Sequence, residues 1–282
     1  MSGIVRAATA LGDPRAMPDL KWLSDLTDES PQVLETTLAE VGDLDAVERT
    51  IRARHISGGR EFYAQFRAPF EIYTLIRLLK PEHVIETGVS SGVSSAHFLL
   101  ALARNGHGTL HSIDLPVHQV GPTLDEKESP VSLPPGRYPG WAVPDELRHA
   151  WDLRIGPSQE ELPRLVEGLP SIGLFLHDSH HTPAHLTFEL STVRPKLAPG
   201  AVVLADNTEW TGQAFDRFAG SLGATVYRRG GSDLVGLRVP PGAAGASRKK
   251  PARGKVSTQK SPRAKRRVSP RTRREPPRRR RQ

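Results

Sequence analysis

From residue 83 onward, short apolar runs and amphipathic stretches take turns along the chain. That alternation constrains the fold more than any other feature. "HVIET" (83–87), "TLHSID" (109–114), "WDLRIG" (151–156), "IGLFLHD" (172–178) and "AVVLAD" (201–206) read as strands. Residues 93–104, 145–150, 158–167 and 183–196 read as the intervening helices. Repeated strand–helix–strand units need crossovers, and crossovers are right-handed, so the strands lie parallel. "GATVYRRGGSDLVGLRV" breaks the rhythm: two β-rich runs flank Gly230-Gly231, a hairpin signal. The expectation is an α/β fold whose mostly parallel sheet ends in an antiparallel pair.

Around this core, residues 1–68 are polar and helically patterned in "SPQVLETTLAEVG" and "LDAVERTIRARH", with Ser30 as N-cap and Pro31 as first helical residue. "APFEIYTLIRLL" (68–79) is a stronger amphipathic helix, expected beside the sheet. Three parts result: a helical extension 1–68, a central domain 69–240 and a tail 241–282. Within the domain, residues 115–144 are rich in proline and glycine and long for a connection, which marks a lid-like insertion. Tyr138 and Trp141 give that insertion something to bury.

The net charge of +8 divides unevenly. Residues 241–282 hold 17 of the 39 basic residues and one of the 31 acidic ones, which leaves 22 against 30 in residues 1–240. An acidic body therefore carries a basic tail without large apolar residues, expected to be disordered. The chain has no cysteine, which excludes disulfides and thiolate chemistry. It shows no signal-peptide pattern and no apolar run of membrane-spanning length, so a cytoplasmic location is expected.

"VIETGVSSGVSSAHFLLALARNG" (84–106) is a strand, a glycine turn and a helix. Read one way, "TGVSSGVS" is similar to the dinucleotide turn of short-chain dehydrogenases. Ser94 stands where that turn has its last glycine, the strand begins some 80 residues into the chain, and no Tyr-x-x-x-Lys pair occurs. Read the other way, Glu86 with Gly88 and Gly92 resembles motif I of class I S-adenosylmethionine methyltransferases. The glycines would admit the methionyl and ribose parts of a cationic cofactor, and the Glu86 carboxylate would answer its ammonium. A tight turn with no ligand is the plain alternative.

Later segments extend this resemblance over roughly 69–239. "IGPSQEELPRL" (155–165) resembles the catechol O-methyltransferase group, and "LFLHDSHHTPAH" (174–185) and "VVLADN" (202–207) a related bacterial methyltransferase family. The resemblance implies a Rossmann-like sheet of seven strands with helices on both faces. It implies cofactor contacts from Glu86, Thr87, Gly88, Ser90, Gly92, Ser94, Asp114, Ser158, Gln159 and Asp178. Asp114 would take the ribose hydroxyls, and Ser158 and Gln159 the adenine. Asp178, Asp206 and Asn207 fall on the divalent-cation ligands of metal-dependent members, an oxygen set suited to Mg²⁺. Ser158 also reads as a helix cap, with Glu161 completing a capping box.

Two positions depart from the family pattern. Ser171 occupies a place usually acidic, and His181 replaces the catalytic lysine. His181 would act with Asp178 in catalysis, taking the acceptor's proton. It belongs to a cluster with His177, His180 and His185, in which the i, i+4 spacing of His181 and His185 also allows zinc. Pro183, as a helix start, would leave His181 ahead of the helix.

The implied reaction is O-methylation of a small-molecule acceptor. Segment 248–281 offers a second class of function, nonspecific binding of nucleic acid or an anionic surface, with or without methylation of the nucleic acid. Its lack of aromatic residues removes a base-stacking platform, and no Pro-Pro-Tyr base-methylation motif occurs. The helices of 1–80 also offer a surface for a homodimer.

Overall fold

A computed structural model describes residues 18–40, 66–115 and 136–243, with the isolated positions 53 and 133. The helical run expected at 44–55, most of the 115–144 insertion and the tail from 244 lie outside the described residues.

Two helices open the described chain, α1 (Leu20–Thr27) and α2 (Pro31–Ala39). Asp19 caps α1 by accepting from Trp22 N–H at 2.9 Å, and Ser30 caps α2 through Val33 N–H. Then follow α3 (Pro69–Leu79), β1 (His83–Thr87), α4 (Val93–Asn105) and β2 (Thr109–Asp114). A 3₁₀ turn over Asp145–Ala150 leads into β3 (Trp151–Ile155), α5 (Ser158–Gly168), β4 (Ile172–His177) and α6 (Pro183–Val193). The chain ends with β5 (Leu197–Ala205), α7 (Ala214–Leu222), β6 (Tyr227–Arg228) and β7 (Val235–Arg238).

The seven strands form one sheet in the order β3-β2-β1-β4-β5-β7-β6. β1 to β5 are parallel, and β7 runs antiparallel to both β5 and β6. The expected terminal hairpin therefore forms around Gly230-Gly231. Chain direction across the sheet reverses between β1 and β4, which is where open α/β sheets place their ligand crevice.

Residue parity separates the two faces. Even-numbered Val84, Leu110, Leu174, Leu176, Val202 and Leu204 join α1 to α4 in one core. Odd-numbered Ile85, Ile113, Phe175 and Val203 join α5, α6 and α7 in the other. Trp22, Leu23, Leu26, Leu34 and Leu38 are all buried in the first core beside Phe70 and Ile72. A buried ion pair ties this layer to the hairpin: Arg229 Nε lies 2.5 Å from Glu71 Oε1, which also accepts from Asp19 N–H at 3.0 Å. The other oxygen of the Asp19 carboxylate accepts from Gly230 N–H at 3.0 Å. Among the described residues no helix is long and apolar enough to cross a membrane.

Candidate active site

The parallel ladder runs one residue past each strand end. Gly88 N–H donates to Ile113 O, Asp178 N–H to Thr87 O and Asp206 N–H to His177 O, each at 2.9 Å. Asp114, Gly88, Asp178 and Asp206 thereby form a lateral row at the carboxyl rim. All four are even-numbered, so the three aspartate side chains share the face of Glu86, two residues below Gly88. Gly88 has φ +85°, and a Cβ there would stand 1.9 Å from Asp178 O. Glycine is required at this point for β1 to turn away while β4 passes against it.

Glu86 is fully buried. Ser95 and Ser112 donate to its Oε2 at 2.6 and 2.8 Å, and Ser94 donates to Oε1. Trp151 Nε1–H in turn donates to Ser112 at 2.9 Å. Asp114 Oδ2 accepts from the N–H groups of Val89 and Ser90 at 2.7 and 2.9 Å. That bond holds the glycine turn, in which Ser90 takes the left-handed φ of +49°. The hydroxyls of Ser90 and Ser91 are buried without a hydrogen-bond partner.

Burial raises the pKa of all four acids. Desolvation, then the nearby Asp178 charge, pushes Asp206 up to about 7. Desolvation, then Asp114, pushes Asp178 up to about 8. Glu86 rises to about 7 despite its three serine donors, and Asp114 is also raised. Among the described residues no lysine or arginine is among the groups that shift these acids, so they hold their protons near neutral pH and would give them up to a cation placed at the rim.

A pH dependence follows from Glu86. Its folded pKa lies above the unfolded value of 4.5, so its contribution to stability is full below pH 4.5 and is lost as pH rises to about 7. Glu86→Gln is therefore expected to lose less stability than the native protein between pH 4.5 and 7, read from urea unfolding midpoints. An unchanged pH slope would refute that assignment. Asp178 and Asp206 titrate above their ordinary values too, so the variant's slope flattens without vanishing.

His181 stands at the same rim, Nε2 at 3.5 Å from Asp178 Oδ1, with its ring edge-on to Trp210 at 5.9 Å. Helix α6 starts at Pro183, so His181 precedes it, and His185 lies in its first turn. Asn207 follows Asp206 in the left-handed region, φ +51°. Among the described residues no group of three or more His, Asp or Glu side chains is arranged to hold a metal ion. The set Asp178, Asp206 and Asn207 contains only two such side chains.

Several side chains sit elsewhere than the sequence pattern implies. Thr87 is odd-numbered and points to the opposite face, donating to Glu189 Oε2 at 2.7 Å. The space that Gly92 leaves open is filled by protein: a Cβ there would meet Val143 Cγ2 at 2.6 Å and Gly140 Cα at 2.8 Å. Gly140 and Ala142 donate to the carbonyls of Ser90 and Ser91, so the described end of the 115–144 insertion is docked on the glycine turn. Ser158 makes no capping bond; its hydroxyl lies 3.0 Å from His185 Nε2. Gln159 Nε2 lies 3.2 Å from His185 Nδ1. The buried Glu189, which holds His177 at 2.7 Å and His185 at 2.9 Å, was not among the expected site residues. Its i, i+4 spacing from His185 was a readable signal.

Beside Asn207 an open cavity of about 320 Å³ lies between Thr208, Glu209, Asp216, Arg228 and Asp233. It borders the acidic row without including it.

Comparison with known proteins agrees with this architecture. A family model described as a methyltransferase domain matches residues 85–208. No curated protein matches the chain. Among solved structures, a Staphylococcus aureus protein provisionally assigned as a caffeoyl-CoA O-methyltransferase has 11% identity and a TM-score of 0.50, covering 69% of this chain and 92% of that one. The SAH-bound Podospora anserina methyltransferase PaMTH1 has 14% identity and a TM-score of 0.48, covering 69% and 88%. An O-methyltransferase from Bacillus cereus in complex with SAH has 15% identity and a TM-score of 0.46, covering 73% and 99%. The strand order, the ligand crevice and the match to a methyltransferase-domain family thus all fall on one segment, residues 85–208.

Proposed function

We propose that this enzyme transfers a methyl group from S-adenosylmethionine to the hydroxyl of a small molecule. The observation that carries this reading is the row Asp114–Gly88–Asp178–Asp206 above Glu86, a strip of carboxyl groups with no lysine or arginine among the charges that perturb it. A sulfonium and an ammonium are complementary to such a strip, whereas a dinucleotide pyrophosphate would be repelled. The same acidity disfavours the short-chain dehydrogenase alternative.

The chain's residues divide the work by position. Glu86 and the partnerless hydroxyls of Ser90 and Ser91 would take the amino-acid end of the cofactor. Asp114, whose Oδ2 fixes the turn, would accept the ribose hydroxyls on its other oxygen. Ser158 and Gln159 would take the adenine. Bound S-adenosylmethionine supplies an electrophilic methyl group, and the row's task is to hold an acceptor oxygen in line with it, since positioning removes much of the barrier. His181, steadied by Asp178 at Nε2, would take the hydroxyl proton on Nδ1. Asp178, Asp206 and Asn207 are hard oxygen donors that fit a Mg²⁺ ion retaining most of its waters, which would lower the hydroxyl's pKa. The open cavity bordered by Asp233 and Arg228 would admit the acceptor.

Titration of the full chain with S-adenosylmethionine in a calorimeter is expected to show one-site binding, and no heat at millimolar cofactor would refute the reading. Asp206→Ala, or chelator on the native enzyme, is expected to abolish transfer while cofactor binding persists. Full turnover in chelator would remove the cation and keep the rest. The basic segment 248–281 is proposed only as an attachment to an anionic surface, so deleting it should leave turnover of a small hydroxyl substrate unchanged.

A further inference from the structure

The open cavity beside Asn207 carries charge of one sign. Its charged lining is Arg228 with Glu209, Asp216 and Asp233. Arg228 Nη2 lies 2.7 Å from Asp216 Oδ1, so those two charges answer each other. Among the described residues Glu209 and Asp233 enter no ion pair. The main chain beneath Asp233 is nevertheless fixed. Thr208 donates to Asp233 O twice, from Oγ1 at 2.8 Å and from N–H at 3.4 Å. The hairpin that forms this wall is tied from behind, by Asp19 at Gly230 and by Glu71 at Arg229. The cavity thus has a held wall and two uncompensated carboxylates.

The same cavity is joined to the reaction row. One 3₁₀ turn, Thr208–Trp210, serves both: Thr208 and Glu209 line the cavity, and the Trp210 ring meets that of His181 at 5.9 Å. After burial and Asp178, the charge of Asp233 is a further cause of the raised Asp206 carboxyl, so the two aspartates lie within electrostatic reach. A volume of about 320 Å³ stands at the small end of ligand pockets and suits a single-ring compound.

We propose that the acceptor is a hydroxyl compound bearing a protonated amine, whose ammonium faces Glu209 and Asp233 while its hydroxyl reaches His181. The inference rests on the S-adenosylmethionine reading above and names the class of acceptor for that same site. An ammonium brings three donors and a positive charge to two carboxylates that lack both. A carboxylated or phosphorylated acceptor meets like charge there, and the cavity's own guanidinium is already engaged by Asp216. The protonated nitrogen has no lone pair to attack with, so methylation is confined to oxygen. In the transfer the sulfur–methyl bond breaks, an oxygen–methyl bond forms and the hydroxyl proton passes to His181. Glu209 and Asp233 are exposed, so water and salt screen them and the preference is modest.

The test uses three phenols that share one ring: tyramine, 4-ethylphenol and 4-hydroxyphenylacetate. Their affinities are read by ligand-observed NMR on the full chain loaded with S-adenosylhomocysteine, at neutral pH and low salt. Tyramine is expected to bind about 10-fold tighter than 4-hydroxyphenylacetate, with 4-ethylphenol between, and added salt should shrink the ratio. Asp233→Asn combined with Glu209→Gln keeps shape and should bring the ratio to within about 3-fold of one. Asp216→Asn releases Arg228 to the cavity and should lower the ratio through the opposite charge. Unchanged affinity of each variant for S-adenosylhomocysteine shows that the fold is intact. A native chain that does not load S-adenosylhomocysteine overturns the S-adenosylmethionine reading and this inference with it. A loaded native chain that binds the three phenols alike or binds none of them, or either variant keeping the native ratio, overturns the inference alone.

Discussion

Gly88→Ala is expected to abolish cofactor binding, lowering affinity at least ~100-fold, the scale attached to a ~1 Å misplacement at a reacting centre. Two effects add at this position. Alanine at φ +85° costs about 1–2 kcal/mol in backbone strain alone. Its Cβ would also stand 1.9 Å from Asp178 O and 2.5 Å from Asp178 C, atoms of backbone that cannot swing aside. Relief requires β1 and β4 to part at their carboxyl ends, which separates Asp114 from Asp178 and Asp206. Gly106→Ala is the matched control. Gly106 caps α4 at φ +75° with open space where a Cβ would lie, so strain without collision should cost stability and leave binding intact. Calorimetry with S-adenosylhomocysteine separates the two, and native affinity in Gly88→Ala would show that the row tolerates displacement.

Arg229→Met is expected to destabilise the fold by about 3–5 kcal/mol, because it strands the Glu71 carboxylate in the core. Both side chains are essentially inaccessible, at 1% and 0% exposure, so water cannot replace the lost guanidinium. Glu71→Leu combined with Arg229→Met should recover most of the loss, since an apolar pair needs no solvation. Urea denaturation of the three variants measures this directly. A loss under about 1 kcal/mol for the single change would place the pair in the class of solvated surface bridges.

The arithmetic of the fold was largely readable in the sequence. β1 and β2 have the bounds that apolar runs and flanking turn residues suggest, and α3 to α6 begin where caps, glycines or prolines say they should. Helix α1 escaped notice because eight residues carry little periodicity; its Asp19 cap was the available sign. β5 starts at Leu197 rather than 201, across Pro199 and Gly200, because pairing with β4 extends it past a local irregularity at Ile172–Leu174. At the site, the convergence of Asp114, Asp178 and Asp206 on one rim follows from strand-end placement, which sequence does encode. The fates of Ser158 and Gly92 do not follow. Ser158 finds His185, 27 residues away, instead of its own helix, and Gly92 makes room for Gly140 and Val143. Partners of that kind are chosen by tertiary packing, which local cap and turn rules do not contain.

The parity rule that places Leu174, Leu176, Val202 and Leu204 under α1 to α3 also limits how this molecule can be cut. A fragment trimmed to the family-matched stretch, 85–208, would leave those side chains facing water and would expose the far edge of β5 where β7 belongs. It should be recovered as aggregate rather than as a miniature enzyme. For anyone preparing the protein, the smallest useful piece starts before Asp19 and runs beyond Val239.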